Sequence, residues 1–337
     1  MSATDLASRC PLPRLLLGLS LGLVLMMLAS LLFGAGEVGP RAAWPVLIGG
    51  GGSEARFVVA SLRAPRTALG IGIGIALGVA GALIQAAARN PLAEPGLLGV
   101  SAGSALAVAV ALALGASAAT LRISVAQLGA LAGCLGVLAV ARLDGVGSDP
   151  VRLVLAGAVL SGLLGALTSL ILLVDQRSAD EIRFWIVGSL AGRRLADLQA
   201  ILPSLAAAGA ITLAVARPLA ALALGERVAV GLGQRPRLVR LATVVAVALL
   251  VGAATAVAGP IAFVGLVVPF AARALAGPDI RRTLWLALPL GPILVLGADV
   301  LSRLLVAPSE MPLGVLTALV GAPVLIAVVR AHRLPAV

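Results

Sequence analysis

The sequence predicts an all-α, polytopic membrane protein, and three observations carry that prediction. Hydrophobic residues make up 61% of the 337-residue chain, charged residues make up 12%, and mean hydropathy is +1.13. Apolar runs long enough to cross a hydrocarbon layer recur from one end to the other. A charge at the centre of a spanning helix costs roughly 2.5–3.5 kcal/mol, and these runs are nearly free of charge. A soluble helical core does not require that.

The runs divide the chain into ten spans within one transmembrane domain, residues 1–337, with no linker. The first, 15–33, follows Arg9 and Arg14. Its apolar run of 19 residues is long for a signal-peptide core, which favours a retained helix. The second, 66–88, has arginines at both ends. Arg66 and Arg89 lie about 35 Å apart at the helical rise, so a charge meets each face of a bilayer. Gly70, Gly74 and Gly78 repeat every four residues and predict a close-packing stripe. Asn90-Pro91 and Glu94-Pro95-Gly96 then break the helix twice, because proline lacks a donor and fixes its φ. As a bare pattern this is a tight turn.

The third and fourth spans, 96–115 and 120–141, are plain apolar runs, the fourth containing Cys134. The fifth, 152–174, carries Gly157, Ser161, Gly165 and Ser169 at four-residue spacing. That stripe is a packing face by default or, with Thr168, the border of a pathway. The sixth span, 198–216, leads into the basic segment 217–240, where a short helix from Leu224 to Leu232 ends at Gly233 and Pro236. The seventh to tenth spans are 238–257, 261–276, 284–306 and 312–330.

With a cytoplasmic N-terminus, the inner segments hold 15 of the 25 arginines. The positive-inside rule therefore places both termini in the cytoplasm.

Composition also excludes functions. The chain contains no lysine, so it cannot form a Walker A phosphate loop, and any ATP must bind another subunit. A formal net charge of +11 would suit nucleic acid, but aromatics are 2% and tyrosine is absent, so the arginines read as topology signals. Cys10, Cys134 and His332 assemble neither a disulfide framework nor a metal cluster. No cofactor or metal is therefore expected on this chain, and a metal already wrapped in a chelator needs no protein ligands. An ion-coupled secondary transporter would need an ionisable group deep in the bundle. The best candidate, Asp299, lies towards the outer side, about 22 Å from the inner end of its helix, beside Arg303. An intramembrane enzyme would need a buried catalytic constellation, and the single histidine is in the tail.

Six segments, "RAPRTALG", "GALIQAAARNPLAEPGLLGVSAGSALA", "LALGERVAVGLG", "GPIAFVGLVVPFAARALAGPDIRR", "GADVLSRL" and "MPLGVLTALVGAPVLIAVVR", together resemble the permease subunits of ATP-binding-cassette importers for iron–siderophore complexes, haem and cobalamin. The resemblance runs from about residue 15 to 333. It implies a ten-helix permease paired with a second copy or a paralogue and with an extracytoplasmic substrate-binding protein. Two cytoplasmic ATPase subunits would carry ATP and Mg2+, and cargo would move by alternating access.

By the same resemblance, Arg63, Arg66 and Arg303 dock onto carboxylates of the binding protein. Arg303 lies about 28 Å along its helix from Leu284, at the outer surface. The alternative is interfacial anchoring, with Asp299 and Arg303 paired at i,i+4. Leu224, Gly225, Glu226, Arg227, Gly231, Leu232 and Gly233 resemble the helix that couples to the ATPase. Asn90 and Leu92 match a cytoplasmic gate, and Ser161, Gly165, Thr168 and Ser169 are candidates for the pathway wall. Two departures stand out: Asp149-Pro150-Val151 replaces small hydroxyl residues beside the gate, and Phe270 stands where relatives carry histidine. The segment from Asp180 to Arg194 looks closest to siderophore permeases. With Arg177, Arg183, Arg193 and Arg194 it would suit an anionic ferric chelate, or is simply a solvated loop. Siderophore is the expected cargo, ahead of haem and then cobalamin.

Overall fold

The computed structural model describes residues 11–116, 121–142, 150–174 and 185–330, and among these there are helices and connections but no strand. Seven helices are long and apolar enough to cross a membrane, and three shorter apolar helices accompany them.

Helix α1, Leu12–Leu32, starts with proline in its first turn, where the missing donor costs nothing. It lies at the edge, with Leu17 and Leu21 exposed, and lays Leu12, Leu15, Leu16 and Leu19 against a small apolar cluster around Ala272 and Leu286. Helix α2, Pro40–Leu47, is short and was not foreseen. Its Ala43 packs with Val38, Ala55 and Val59.

Helix α3, Ser53–Ala88, is longer than the apolar run predicts. It starts 13 residues earlier and passes through a π-helical turn at Val58–Arg63, a device found mostly at functional places in helices. Its end is a Schellman motif. The Asn90 amide donates to Gln85 O at 3.1 Å and the Arg89 amide to Ala86 O at 3.3 Å, while Arg89 takes a left-handed φ of 49°.

After a 3₁₀ turn at Pro95–Leu98, helices α4, Val100–Ala113, and α5, Leu121–Arg142, run against each other through glycines. A Cβ on Gly103 would strike the Gly129 carbonyl, and one on Gly133 would strike that of Gly99. Glycine pairs four apart on each helix allow this approach. Helix α6, Pro150–Val174, leaves Leu155, Val159, Leu163, Leu170 and Leu173 exposed.

Helix α7, Leu195–Ala223, is followed by the short α8, Glu226–Gly231, and by α9, Pro236–Ala258. Helices α10, Val264–Ala276, α11, Ile280–Leu304, and α12, Leu313–Arg330, complete the chain. The core lies along α3, α9 and α11. The predicted stripe on α3 works as expected: Gly74 faces the backbone of Gly291 and Pro292, Gly78 faces Ala287 O, and Gly81 abuts the Gly265 carbonyl. On α6 the stripe is split: Gly157 is buried, whereas Gly165 faces open space within this chain.

Candidate functional site

Three arginines gather at the end of the bundle remote from α8. Arg66, on α3, spans two carboxylates: its Nη2 lies 2.7 Å from Asp299 Oδ1 and its Nη1 2.8 Å from Glu310 Oε2. Arg303 closes the other side, with Nη2 2.9 Å from Asp299 Oδ2 at i,i+4 spacing. Its Nη1 also donates to Phe33 O at 2.8 Å and Ser30 O at 3.1 Å. Arg63 donates to Leu31 O at 3.0 Å, Leu32 O at 2.8 Å and Val38 O at 2.6 Å. A helix leaves its last carbonyls unpaired, and here two guanidiniums cap those of α1 and welcome its negative dipole end. Gly34 is required beside them, since a Cβ there would lie 2.5 Å from Arg63 Nη2.

Within this chain the three arginines expected to dock a binding protein are engaged by the chain's own groups. Their relative exposures are 5%, 9% and 2%, and Asp299 is at 0%. The i,i+4 alternative describes Arg303 correctly. It missed that Arg66 shares the same carboxylate across 233 residues of sequence.

A second feature lies along α12. The backbone leaves α9 at Gly259 and runs without helix through Pro260 to Phe263, so α10 starts at Val264 rather than at 261. This segment descends α12: Pro260 O approaches Gly314, and Phe263 packs on Gly321, about 10 Å further along. The Glu94 carboxylate accepts from the Phe263 amide at 3.0 Å, joining the broken hairpin after α3 to the start of α10. Non-helical backbone at membrane depth is tolerated only when buried in protein or lining a cavity. Here it lines one, an open groove of about 680 Å3 whose walls include Val187, Pro260, Ala262, Val315 and Leu319. Among the described residues its lining carries no ionisable side chain.

The α8 end contains the predicted gate and coupling residues. Asn90 Oδ1 accepts from the Leu92 amide at 2.9 Å, closing an Asx turn, and Leu92 is 40% exposed. Helix α8 begins after Gly225, whose φ of 114° suits only glycine, and ends before Gly233, φ 77°. Glu226 pairs with Arg240 at 3.2 Å and Ala229 is fully buried, yet Leu224, Val228, Val230 and Leu232 are exposed. Arg227 and Gly231 are exposed as well. The helix is pinned by its small residue and turns its large apolar side chains outwards, a marked patch in an otherwise basic loop.

Of the pathway candidates, Thr168 bonds back to Leu164 O at 2.8 Å and Ser169 to Gly165 O at 3.0 Å. Ser161 Oγ is buried without a partner. None of the four lines the groove. Phe270 is half-buried, and nothing in the structure explains its presence there. Cys10, His332, Asp149, Arg177 and Arg183 lie outside the described residues. Sequence reasoning overlooked Glu310, an acid in the short turn before α12, and Glu94, whose place between two prolines read only as a turn. It also counted Arg273 only as a topology charge, although a lone arginine inside "VVPFAARALA" was a visible signal.

The model of the FecCD transport family matches residues 22–331. The ferric enterobactin transport system permease protein FepD of Escherichia coli is 42% identical over 314 residues, covering 93% of this chain and 94% of that protein. The hemin transport system permease protein HmuU of Yersinia pestis is 36% identical over 317 residues, covering 92% and 94%. A solved inward-facing structure of a metal-chelate type ABC transporter superposes with a TM-score of 0.80 at 29% identity, covering 95% of this chain and 99% of that one.

Proposed function

The chain belongs to the FecCD transport family, and from that premise we propose that it carries a ferric siderophore across the cell membrane by alternating access, driven by separate ATPase subunits. The observation that carries the energy-coupling half is α8. Val228 and Val230 are exposed on a six-residue helix between Gly225 and Gly233, and Leu224 and Leu232, which flank that helix, are exposed as well. Leaving apolar side chains in water at a polar end of the bundle makes sense when a partner covers them. A cytoplasmic ATPase, holding the ATP and Mg2+ that a lysine-free chain cannot hold in a Walker A loop, is that partner in this reading.

The rest of the proposal follows the geometry. The seven long and three shorter apolar helices make ten spans with both termini cytoplasmic, and the α8 end faces the ATPases. A second permease copy or paralogue covers the exposed face of α6 and the groove along α12, so that Ser161, Gly165, Thr168 and Ser169 face the cargo route between the two subunits. Asn90 and Leu92 narrow its cytoplasmic exit. Leu224, Gly225, Glu226, Arg227, Gly231, Leu232 and Gly233, within the coupling loop 217–240, transmit closure of the ATPases to the bundle.

At the outer end, docking through Arg63, Arg66 and Arg303 takes a narrower form. The cluster fixes the ends of α1, α3 and α11 and the turn bearing Glu310, the surface on which a substrate-binding protein would land. Glu310, one-third exposed, is the member of the cluster within a partner's reach. FepD is by its name a ferric enterobactin permease, which favours siderophore over haem for the cargo. Thermal-shift screening of the cognate binding protein with ferric siderophores, hemin and cobalamin tests that choice; stabilisation by hemin or cobalamin alone would overturn it.

A further inference from the structure

Arg273 on α10 breaks the pattern of the other buried arginines. Arg66 and Arg303 each meet a carboxylate, and Arg63 meets three carbonyls. Arg273 is 4% exposed, yet its one partner among the described residues is the neutral amide of Gln85, which accepts from Nη2. Its Nε is buried with no partner. Gln85 is itself fully buried and its Nε2 reaches Gly265 O at 3.4 Å, so it fixes the guanidinium without neutralising it. An uncompensated buried charge costs several kcal/mol. The fold bears that cost in one place.

That place is a cavity of about 20 Å3 lined by Arg273, Arg89, Pro278, Ile280 and Thr283 among others. Such a volume admits one water-sized group, or the oxygen of a larger oxyanion whose body sits in the mouth. Arg89 stands at the rim, exposed, without a carboxylate partner among the described residues. Ile280 and Thr283 belong to the first turn of the 25-residue α11, so a positive dipole end faces the same space. Arg281 and Arg282 flank it. The nearby acid, Asp279, has its Oδ1 engaged with the Arg281 amide at 2.9 Å, and the local balance is strongly positive.

We infer that Arg273 and Arg89 form a phosphate-oxyanion site at the α8 end of the bundle, between α3, α7, α10 and α11. An oxygen of the phosphate accepts from Arg273 Nε inside the cavity, and Arg89 holds the remaining charge outside it. The cavity lies where the apolar spans end, the level of phospholipid headgroups. The same chemistry is offered by free phosphate. The inference does not depend on the cargo.

The test uses the full-length chain, purified in detergent and stripped of lipid. It is titrated with phosphatidylglycerol, diacylglycerol and inorganic phosphate, with retention read by native mass spectrometry and protection by thermal melting. Phosphatidylglycerol should bind ~10-fold tighter than diacylglycerol, which lacks the phosphate, on the scale of one charge-assisted hydrogen-bond set. Arg273→Gln and Arg89→Gln should each abolish that preference. Competition by inorganic phosphate, or protection by it alone, would identify free phosphate as the source; its failure to compete would identify the headgroup. Arg89 is exposed, so Arg89→Gln keeps the test decisive even where Arg273→Gln fails to fold. Equal retention of both lipids with no phosphate protection would overturn the site, as would an unchanged preference in Arg89→Gln.

Discussion

Replacing Asp299 with asparagine keeps its volume and removes one charge from a site where two guanidiniums converge. Asp299 is fully buried, 2.7 Å from Arg66 and 2.9 Å from Arg303. Arg66 retains Glu310 after the change, but Arg303 loses its one carboxylate and keeps only Ser30 and carbonyl partners. Removing one partner of a buried pair typically costs about 3–5 kcal/mol, because the other charge is left in low dielectric. Glu310 is one-third exposed, so Glu310→Gln should cost under about 1 kcal/mol. The expected ordering is therefore a large loss for Asp299→Asn and a small one for Glu310→Gln, measured by unfolding the purified chain in mixed micelles of increasing denaturing-detergent fraction. A double-mutant cycle with Arg303→Met isolates the pair, and the double variant should lose less than the sum of the singles by about 1–3 kcal/mol. Asp299→Asn within about 0.5 kcal/mol of the parent, or additive losses in the cycle, would refute the cluster as the clamp of the end of the bundle remote from α8.

Three further outcomes are expected. Gly81→Leu should prevent α3 from meeting α10 at Gly265 and abolish folded, monodisperse protein in size-exclusion chromatography, while Gly18→Leu, facing open space, should leave it unchanged. Val228→Asp with Val230→Asp should keep the chain folded, since both side chains are exposed, yet cut co-purification of the partner ATPase by ~100-fold, the scale of losing two apolar anchors. Glu94→Gln should retain an acceptor for the Phe263 amide and fold normally. Glu94→Ala should leave that amide unpaired at a cost of about 1–3 kcal/mol, read as a fall in melting temperature relative to Glu94→Gln.

The positions of the helices were legible because hydropathy is a local signal with a length scale set by the bilayer. Each of the ten apolar runs became a helix, and Gly70, Gly74 and Gly78 were readable because a four-residue repeat stays on one helix face. The early start of α3 was hidden by the mixed stretch Ser53–Arg63, which has neither an apolar run nor a clean helical period and passes through a π turn. The short α10 was overestimated because Pro260–Phe263 is as apolar as the helix it precedes, and hydropathy cannot distinguish a helix from a non-helical lining segment. Burial of Arg66 was illegible for a different reason. Its carboxylates come from Asp299 and Glu310, more than 230 residues away, and such a pairing is a property of packing rather than of any window. The α8 loop was located by its glycines and charge, but only the structure shows which of its residues turn outwards.

The central claim is that this chain moves a metal chelate only when separate ATPases drive it through α8. The direct measurement is uptake of radio-iron-labelled ferric siderophore into liposomes containing the chain, its permease partner and its ATPases, with loaded binding protein outside. With ATP enclosed, uptake should proceed, and it should stop when ATP is omitted or when Val228→Asp with Val230→Asp is used. Uptake driven by a proton gradient without ATP, or undiminished by the α8 substitutions, would contradict the account.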